Sequence, residues 1–213
     1  MGKASDGILQ IPIRFAHETL GLSPNQLSVG GFVIGLIAAA AVASGLLLPG
    51  LVLLAGSQIV DGLDGGVARR YGLVSEHGKL LETVFDRLNE LAIFLALAYA
   101  GYASYFMAVL AFVAILLVTI VQPMSDFDPG FKRFMIYFGY SAMTLFHVNG
   151  FELALHVVFI ANLLGFLIGT IVVDYRLQKE IDTQVIMRRE AERAMGVLGL
   201  PEDPPSFLSK LFS

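Results

Sequence analysis

The chain has 213 residues, of which 56% are hydrophobic and only 15% charged, and its mean hydropathy is +0.73. A soluble domain needs about 25% charged residues to cover its surface, so most of this chain is not built for water. A net charge of −4 argues against a general nucleic-acid binder, and the lack of cysteine excludes disulfides and thiolate metal sites.

The opening residues Met1–Gln10 are polar, and Arg14, His17 and Glu18 interrupt the first apolar stretch, which is not a signal-peptide pattern. Within residues 1–22, Leu9, Ile13, Ala16 and Leu20 recur at helical spacing, so Ile8–Leu20 is expected to lie in the membrane interface as an amphipathic helix. Ser23 as N-cap, Pro24 at the first helical position and Gln26 completing a capping box then open a first span, Leu27–Leu48. Pro49-Gly50 is expected to turn the chain into a second span, Leu51–Arg70, with a third over Lys79–Ala100. Gly101–Ser104 leads into a fourth, Tyr105–Gln122, and Pro123–Gly130 connects to a fifth, Phe131–Val148. Asn149-Gly150 turns into the sixth, Phe151–Tyr175. The charged tail 176–213 is expected to be helical through Ala194 and broken at Pro201, Pro204 and Pro205.

The expected fold class is therefore all-α: a polytopic membrane domain of six transmembrane helices over 23–175, an N-terminal interfacial helix and a C-terminal tail. All 14 Lys and Arg fall on one face of this arrangement or within the first turns entering it, and the opposite loops near Pro49, Gly101 and Asn149 carry none. By the positive-inside rule that face, with both termini, is cytoplasmic in a cell membrane.

The chemistry concentrates in Asp61–Asp86. Asp61 and Asp64 stand three apart, and Glu82 and Asp86 four apart, so each pair shares a helix face. The short connection makes the two helices antiparallel neighbours, on which the four carboxylates can converge at the cytoplasmic boundary. Acids in lipid are costly and repel one another. Hard divalent ions relieve both problems, and an all-oxygen set favours Mg²⁺, Mn²⁺ or Ca²⁺ over zinc, with room for one or two ions. The plainer alternative pairs these acids with Arg69, Arg70, Lys79 and Arg87 as an interfacial charge network. Gly65 and Ala68 leave room for a flat ligand against backbone, and Arg69 suits phosphate. The pairs Gly31/Gly35, Gly62/Gly66 and Gly165/Gly169 suit helix packing within the chain or in a homodimer.

This stretch resembles the CDP-alcohol phosphotransferase (phosphatidyltransferase) family, whose motif runs Asp-x2-Asp-Gly-x2-Ala-Arg, eight residues, Gly-x3-Asp-x3-Asp. Here Asp61, Asp64, Gly65, Ala68, Arg69, Gly78, Glu82 and Asp86 occupy those positions at the same spacing, with Glu82 in place of the third aspartate. Ser23-Pro24-Asn25 is similar to the family's Thr-Pro-Asn segment, and the resemblance extends over about Leu22–Tyr175. It implies a metal-dependent transferase of phospholipid biosynthesis. In that reading Asp61, Asp64, Glu82 and Asp86 hold one or two Mg²⁺ or Mn²⁺ ions on the pyrophosphate of a CDP-linked donor. Gly65, Ala68, Arg69 and Gly78 would lie along the nucleotide, and Asp86 would act as general base toward a hydroxyl acceptor, releasing CMP. A lipid-tailed donor, ester- or ether-linked, suits an interfacial site. The Asp86-Arg87 pair and Lys132-Arg133-Phe134 resemble branches that use inositol phosphate or another phosphorylated polyol, and Lys132, Arg133 and Arg176 could form a basic pocket for its phosphate. Ordinary positive-inside anchoring explains those cations equally well, and serine, glycerol phosphate or an amino alcohol stay open as acceptors. Two rival readings are a cation transporter, disfavoured because the acids sit at a helix end, and an inactive scaffold marked by Glu82.

Overall fold

The computed structural model describes residues 5–130 and 132–197, and all of the regular structure among them is helical. The elements are α1 (Ser5–Arg14), a π-helical turn (Phe15–Thr19), α2 (Pro24–Ala43), α3 (Leu47–Arg70), α4 (Glu76–Tyr99), α5 (Tyr105–Ser125), α6 (Phe134–Phe146) and α7 (Gly150–Val197). Four of them, α2, α3, α5 and α7, are long and apolar enough to cross a membrane. α4 has the length, but Glu76, Lys79, Glu82, Asp86, Arg87 and Glu90 dilute its hydropathy. α6 has 13 residues, about 20 Å at ~1.5 Å per residue. Large side chains point outward where a soluble protein would hide them: Phe138 is 63%, Ile120 66% and Ile171 69% exposed. Lipid is the solvent that accepts such a surface.

The start of α2 is capped as its sequence implies. Ser23 Oγ accepts from Gln26 N at 3.3 Å, and Ser23 N donates to Gln26 Oε1 at 2.8 Å. The turn into α3 lies earlier than the sequence suggested. Ser44–Leu46 make the bend, with Gly45 at φ 83°, while Pro49 and Gly50 lie within the first turns of α3. Pro49 is tolerated there because first-turn N–H groups have no helical partner to lose. Gly50 serves packing instead: a Cβ on it would come 3.0 Å from the Ala38 carbonyl oxygen. Ala38, Ala39 and Val42 are buried on the same seam, and Ser57 Oγ donates to the Gly31 carbonyl at 2.8 Å.

Most of the other paired glycines also pack within the chain, whereas Gly62 faces open space. Gly35 faces Asn89 of α4, Gly66 faces Ile13 of α1, Gly165 faces Pro129, and Gly169 faces Val121 and Ser125 of α5. Beneath these seams Leu54, Ile93, Phe94, Leu97, Ile115, Phe151 and Leu155 form the main core.

The N-terminal segment docks on the bundle. Ile13 and Ala16 are buried with Leu27 and Val67, whereas Leu20, expected on the same face, is 55% exposed beside the π-helical turn that shifts the register. Expected position Leu9 falls where side chains are not described. At the other end α7 runs unbroken past Tyr175 for 48 residues in all, about 72 Å at ~1.5 Å per residue. The tail is thus a continuation of the last helix through residue 194, as expected, and beyond it to Val197. The expected breaks at Pro201, Pro204 and Pro205, and the fifth span's first residue Phe131, lie outside the described residues.

Candidate active site

Two cavities open at the end of the bundle where α3 finishes and α4 begins. The first, about 290 Å³, is lined by Asn25 and Ser28 of α2, by Asp64, Gly65, Ala68 and Arg69 of α3, and by Gly78, Lys79 and Glu82 of α4. The second, about 270 Å³, is lined by Asp61 of α3, by Asp86, Arg87 and Glu90 of α4, and by Asp128, Lys132 and Arg133 before α6. The four candidate ligands are thereby divided, Asp64 and Glu82 opening on one cavity and Asp61 and Asp86 on the other. The i, i+3 and i, i+4 spacings produce this division. Each pair shares a face, and the two positions within a pair are staggered by about one turn along it.

Asp64, Asp61 and Asp86 are each held by neighbours from other segments. Asp64 is 2% exposed, and its carboxylate accepts from Ser28 Oγ and from the Gly65 backbone N–H. Arg133 joins the other pair: its Nη2 contacts Asp86 Oδ1 and lies 3.5 Å from Asp61 Oδ2. The glycines have steric reasons. A Cβ at Gly65 would stand 3.0 Å from Arg69 Nη1, and one at Gly78 would stand 3.1 Å from Ser75 Oγ and 3.4 Å from Asn25 Oδ1. Glycine at 65 therefore lets the guanidinium fold over the backbone, and glycine at 78 lets α4 start close against α2.

The donor set suits a hard cation. It is all carboxylate oxygen, and a cationic nitrogen of Arg133 already bridges two of its members. No three acids among the described residues are grouped closely enough to hold an ion. The fit is thus one of chemistry and charge, with Arg133 as stand-in cation between Asp61 and Asp86.

The sequence-expected basic trio is brought together only in part. Lys132 and Arg133 line the second cavity, whereas Arg176 does not. Its Nη1 donates to the Met124 carbonyl at 2.6 Å and to Asp126 Oδ2 at 2.9 Å, so it caps the end of α5. The physical reason is the left-handed Asp126 (φ 57°), which ends α5 with free carbonyls and a carboxylate at the side of α7. Lys132 pairs instead with Asp128 at 3.1 Å. Burial alone would raise the Asp128 carboxyl, but the Gly130 N–H and the Lys132 ammonium outweigh it and hold the group below its ordinary value.

Sequence reasoning missed Ser28, Glu90 and Asp128 as parts of this site. Glu90 had a signal: Glu82, Asp86 and Glu90 recur every four residues along one face of α4. Ser28 had none, because its link to Asp64 spans 36 residues and depends on the α2–α3 packing.

The model of the CDP-alcohol phosphatidyltransferase family matches residues 21–172, which include both cavities. The chain belongs to the CDP-alcohol phosphatidyltransferase family. Similar sequences include the archaetidylinositol phosphate synthase of Pyrococcus horikoshii, 38% identical over 84 residues (39% of this chain, 44% of the relative). That of Methanothermobacter thermautotrophicus is 31% identical over 109 residues (51% of this chain, 56% of the relative). The chain thus spans about half the length of these relatives. Among solved structures, the phosphatidylinositol phosphate synthase of Mycobacterium tuberculosis with manganese and citrate superposes with a TM-score of 0.64 at 16% identity, covering 76% of this chain and 87% of that one. The same enzyme with CDP-DAG bound gives 0.55 at 18%, covering 78% and 90%. At these identities the structures establish a shared fold for this member of the phosphatidyltransferase family.

Proposed function

We propose that this chain transfers a phosphatidyl or ether-lipid phosphoryl group from a CDP-linked lipid to a hydroxyl of a phosphorylated polyol, with inositol phosphate as the first candidate. The observation that carries the proposal is the pairing of two unlike cavities across one carboxylate set. The first has glycines and Arg69, suited to a nucleotide pyrophosphate. The second has Arg87, Lys132 and Arg133, suited to a small phosphorylated acceptor. The name of the two relatives, archaetidylinositol phosphate synthase, supports the acceptor class.

In this reading Asp61, Asp64, Glu82 and Asp86 hold one or two ions of the Mg²⁺ or Mn²⁺ type. Such ions, when bound, supply positive charge to the pyrophosphate and the departing CMP. Gly65, Ala68 and Arg69 seat the nucleotide, and Gly78 keeps the α4 entrance narrow. Asp86, facing the second cavity, takes the proton of the acceptor hydroxyl. The hydroxyl oxygen forms a bond to the lipid-bearing phosphorus, and the bond from that phosphorus to the bridging oxygen breaks. The bridging oxygen and its electron pair leave with CMP. Positioning supplies most of the rate, because the reaction needs little covalent chemistry from the protein.

For the membrane, the proposal is six spans, with α4 and α6 completing the bundle alongside the four strongly apolar helices. The polar faces of α4 would be covered by α2 and the segment before α6. Both cavities and both termini would face the cytoplasm, and all 14 Lys and Arg lie on that side or within the first turns entering it in the six-span reading. The test is CMP release from a CDP-linked lipid by purified chain in detergent, with Mg²⁺ or Mn²⁺, across inositol phosphate, glycerol phosphate and serine. Release that requires both the metal and inositol phosphate supports the reading. Release with serine and not with the phosphorylated acceptors refutes the acceptor class.

A further inference from the structure

We propose that Glu90 is the hydroxyl-reading residue of the second cavity, selecting an acceptor that carries free hydroxyls beyond the one that reacts. The inference rests on the acceptor assignment above and adds a specificity residue to it.

Six buried side-chain atoms among the described residues lack a hydrogen-bond partner: Arg87 Nε and Nη1, Asn89 Oδ1, Glu90 Oε2, Lys132 Nζ and Asn162 Oδ1. Four of the six belong to three residues that line the second cavity. Buried polar groups are normally satisfied, so unpaired capacity concentrated in one cavity indicates polar atoms kept for a ligand. Glu90 is 2% exposed and Lys132 6%. Their ion pairs engage part of that capacity: Arg87 Nη1 lies 3.0 Å from Glu90 Oε2, and Lys132 Nζ 3.1 Å from Asp128 Oδ1, while Arg87 Nε is left without a partner.

The charges then divide the labour. Arg87, Lys132 and Arg133 donate, and suit an acceptor's phosphate. A carboxylate accepts only, so Glu90 repels phosphate and attracts O–H donors. It follows Asp86 by one helical turn on the same face, so the two carboxylates are roughly 5–6 Å apart at Cβ. An acceptor with its reacting hydroxyl at Asp86 therefore presents its other hydroxyls to Glu90, as a ring polyol does and a simple primary alcohol does not. The plainer role for Glu90, neutralising Arg87, explains the ion pair but not why both buried partners line the cavity.

The experiment measures acceptor KM and kcat by CMP release for the wild-type chain, Glu90→Gln and Glu90→Asp, using inositol phosphate and a series of its mono-deoxy analogues. Glu90→Gln preserves volume and replaces an acceptor oxygen with a donor amide. The expected result is a KM for inositol phosphate raised about tenfold or more in Glu90→Gln with a smaller change in kcat. One deoxy analogue should carry the same penalty in wild type, and Glu90→Gln should add nothing to it. A Glu90→Gln penalty equal for inositol phosphate and every analogue overturns the assignment in favour of a structural role. Should the variants fail to fold, wild type decides alone: full apparent affinity for every analogue overturns the proposal. A wild type that releases CMP with no phosphorylated polyol overturns the acceptor reading itself, whereas normal use of inositol phosphate by Glu90→Gln overturns only Glu90.

Discussion

Replacing Ser28 with alanine tests the site at its most buried point. Ser28 is 6% exposed and Asp64 2%, and the hydroxyl donates to the carboxylate. Ser28 Oγ also lies 3.2 Å from the Pro24 carbonyl, but it has one proton, and the charged partner holds it more strongly. Removing the hydroxyl leaves a carboxylate oxygen without that donor at a position too buried for water to compensate freely. A hydrogen bond to a charged group contributes about 1.5–3 kcal/mol, and at ~1.4 kcal/mol per tenfold this amounts to roughly 10- to 150-fold. Loss of groups that orient metal ligands elsewhere costs a similar ~10–100-fold in metal affinity. The assay is Mn²⁺ binding to purified Ser28→Ala by electron paramagnetic resonance, alongside thermal unfolding to verify the fold. Ser28→Thr, which keeps the hydroxyl, should bind Mn²⁺ far better than Ser28→Ala. Mn²⁺ affinity in a folded Ser28→Ala within about threefold of wild type would refute the idea that Ser28 orients Asp64 for a metal.

The remaining predictions concern the same two cavities. Asp61→Asn and Asp64→Asn should each lower CMP release by roughly 100-fold or more while leaving the unfolding temperature near wild type, and retained turnover in either sinks the metal assignment. Glu82→Asp restores the family residue and should keep turnover within about tenfold; its main effect should be a changed Mg²⁺-to-Mn²⁺ preference, measured by metal titration of the rate. Lys132→Ala should raise the acceptor's KM by about tenfold or more, and an unchanged KM removes Lys132 from the acceptor site. Asp128, held below its ordinary carboxyl value of 3.8, contributes stability that is full above that value and is lost as pH falls through its lower folded value. Asp128→Asn should accordingly flatten the acid limb of the unfolding-temperature profile, measured by thermal melts in detergent.

The sequence was most legible where a local rule sufficed. Ser23, Pro24 and Gln26 specify the start of α2 by contacts within one turn, and the structure has them. Spacing and a short connection predicted that Asp61, Asp64, Glu82 and Asp86 would converge between neighbouring helices; the structure instead packs α2 against both α3 and α4 and divides the four acids between two cavities. Local rules misled where packing decides. Pro49-Gly50 has the composition of a turn, but Gly50 is needed against Ala38, so the bend moved back to Ser44–Leu46. Arg176 belonged to the right end of the bundle by sequence, yet its partner depends on the left-handed cap at Asp126, which no spacing rule announces.

The same distinction explains why the second cavity was harder to read than the first. The first cavity is built mainly from Asp64 to Glu82, nineteen positions of continuous sequence, with Asn25 and Ser28 added across the α2–α3 seam. Its steric requirements therefore appear as a motif. The second cavity joins Asp61, Asp86 and Glu90 to Asp128, Lys132 and Arg133, segments separated by the whole of α5. Its chemistry resides in charge balance: three cations face four acids, and Arg133 serves two of those acids at once. A change at any one of these positions shifts the pairing of the others without altering any local pattern. In the proposed reading, family-level chemistry would be carried by the compact stretch, and acceptor choice by the dispersed one. Variants that change the acceptor should therefore cluster at Arg87, Glu90, Lys132 and Arg133, leaving Gly65, Ala68, Arg69 and Gly78 as they are.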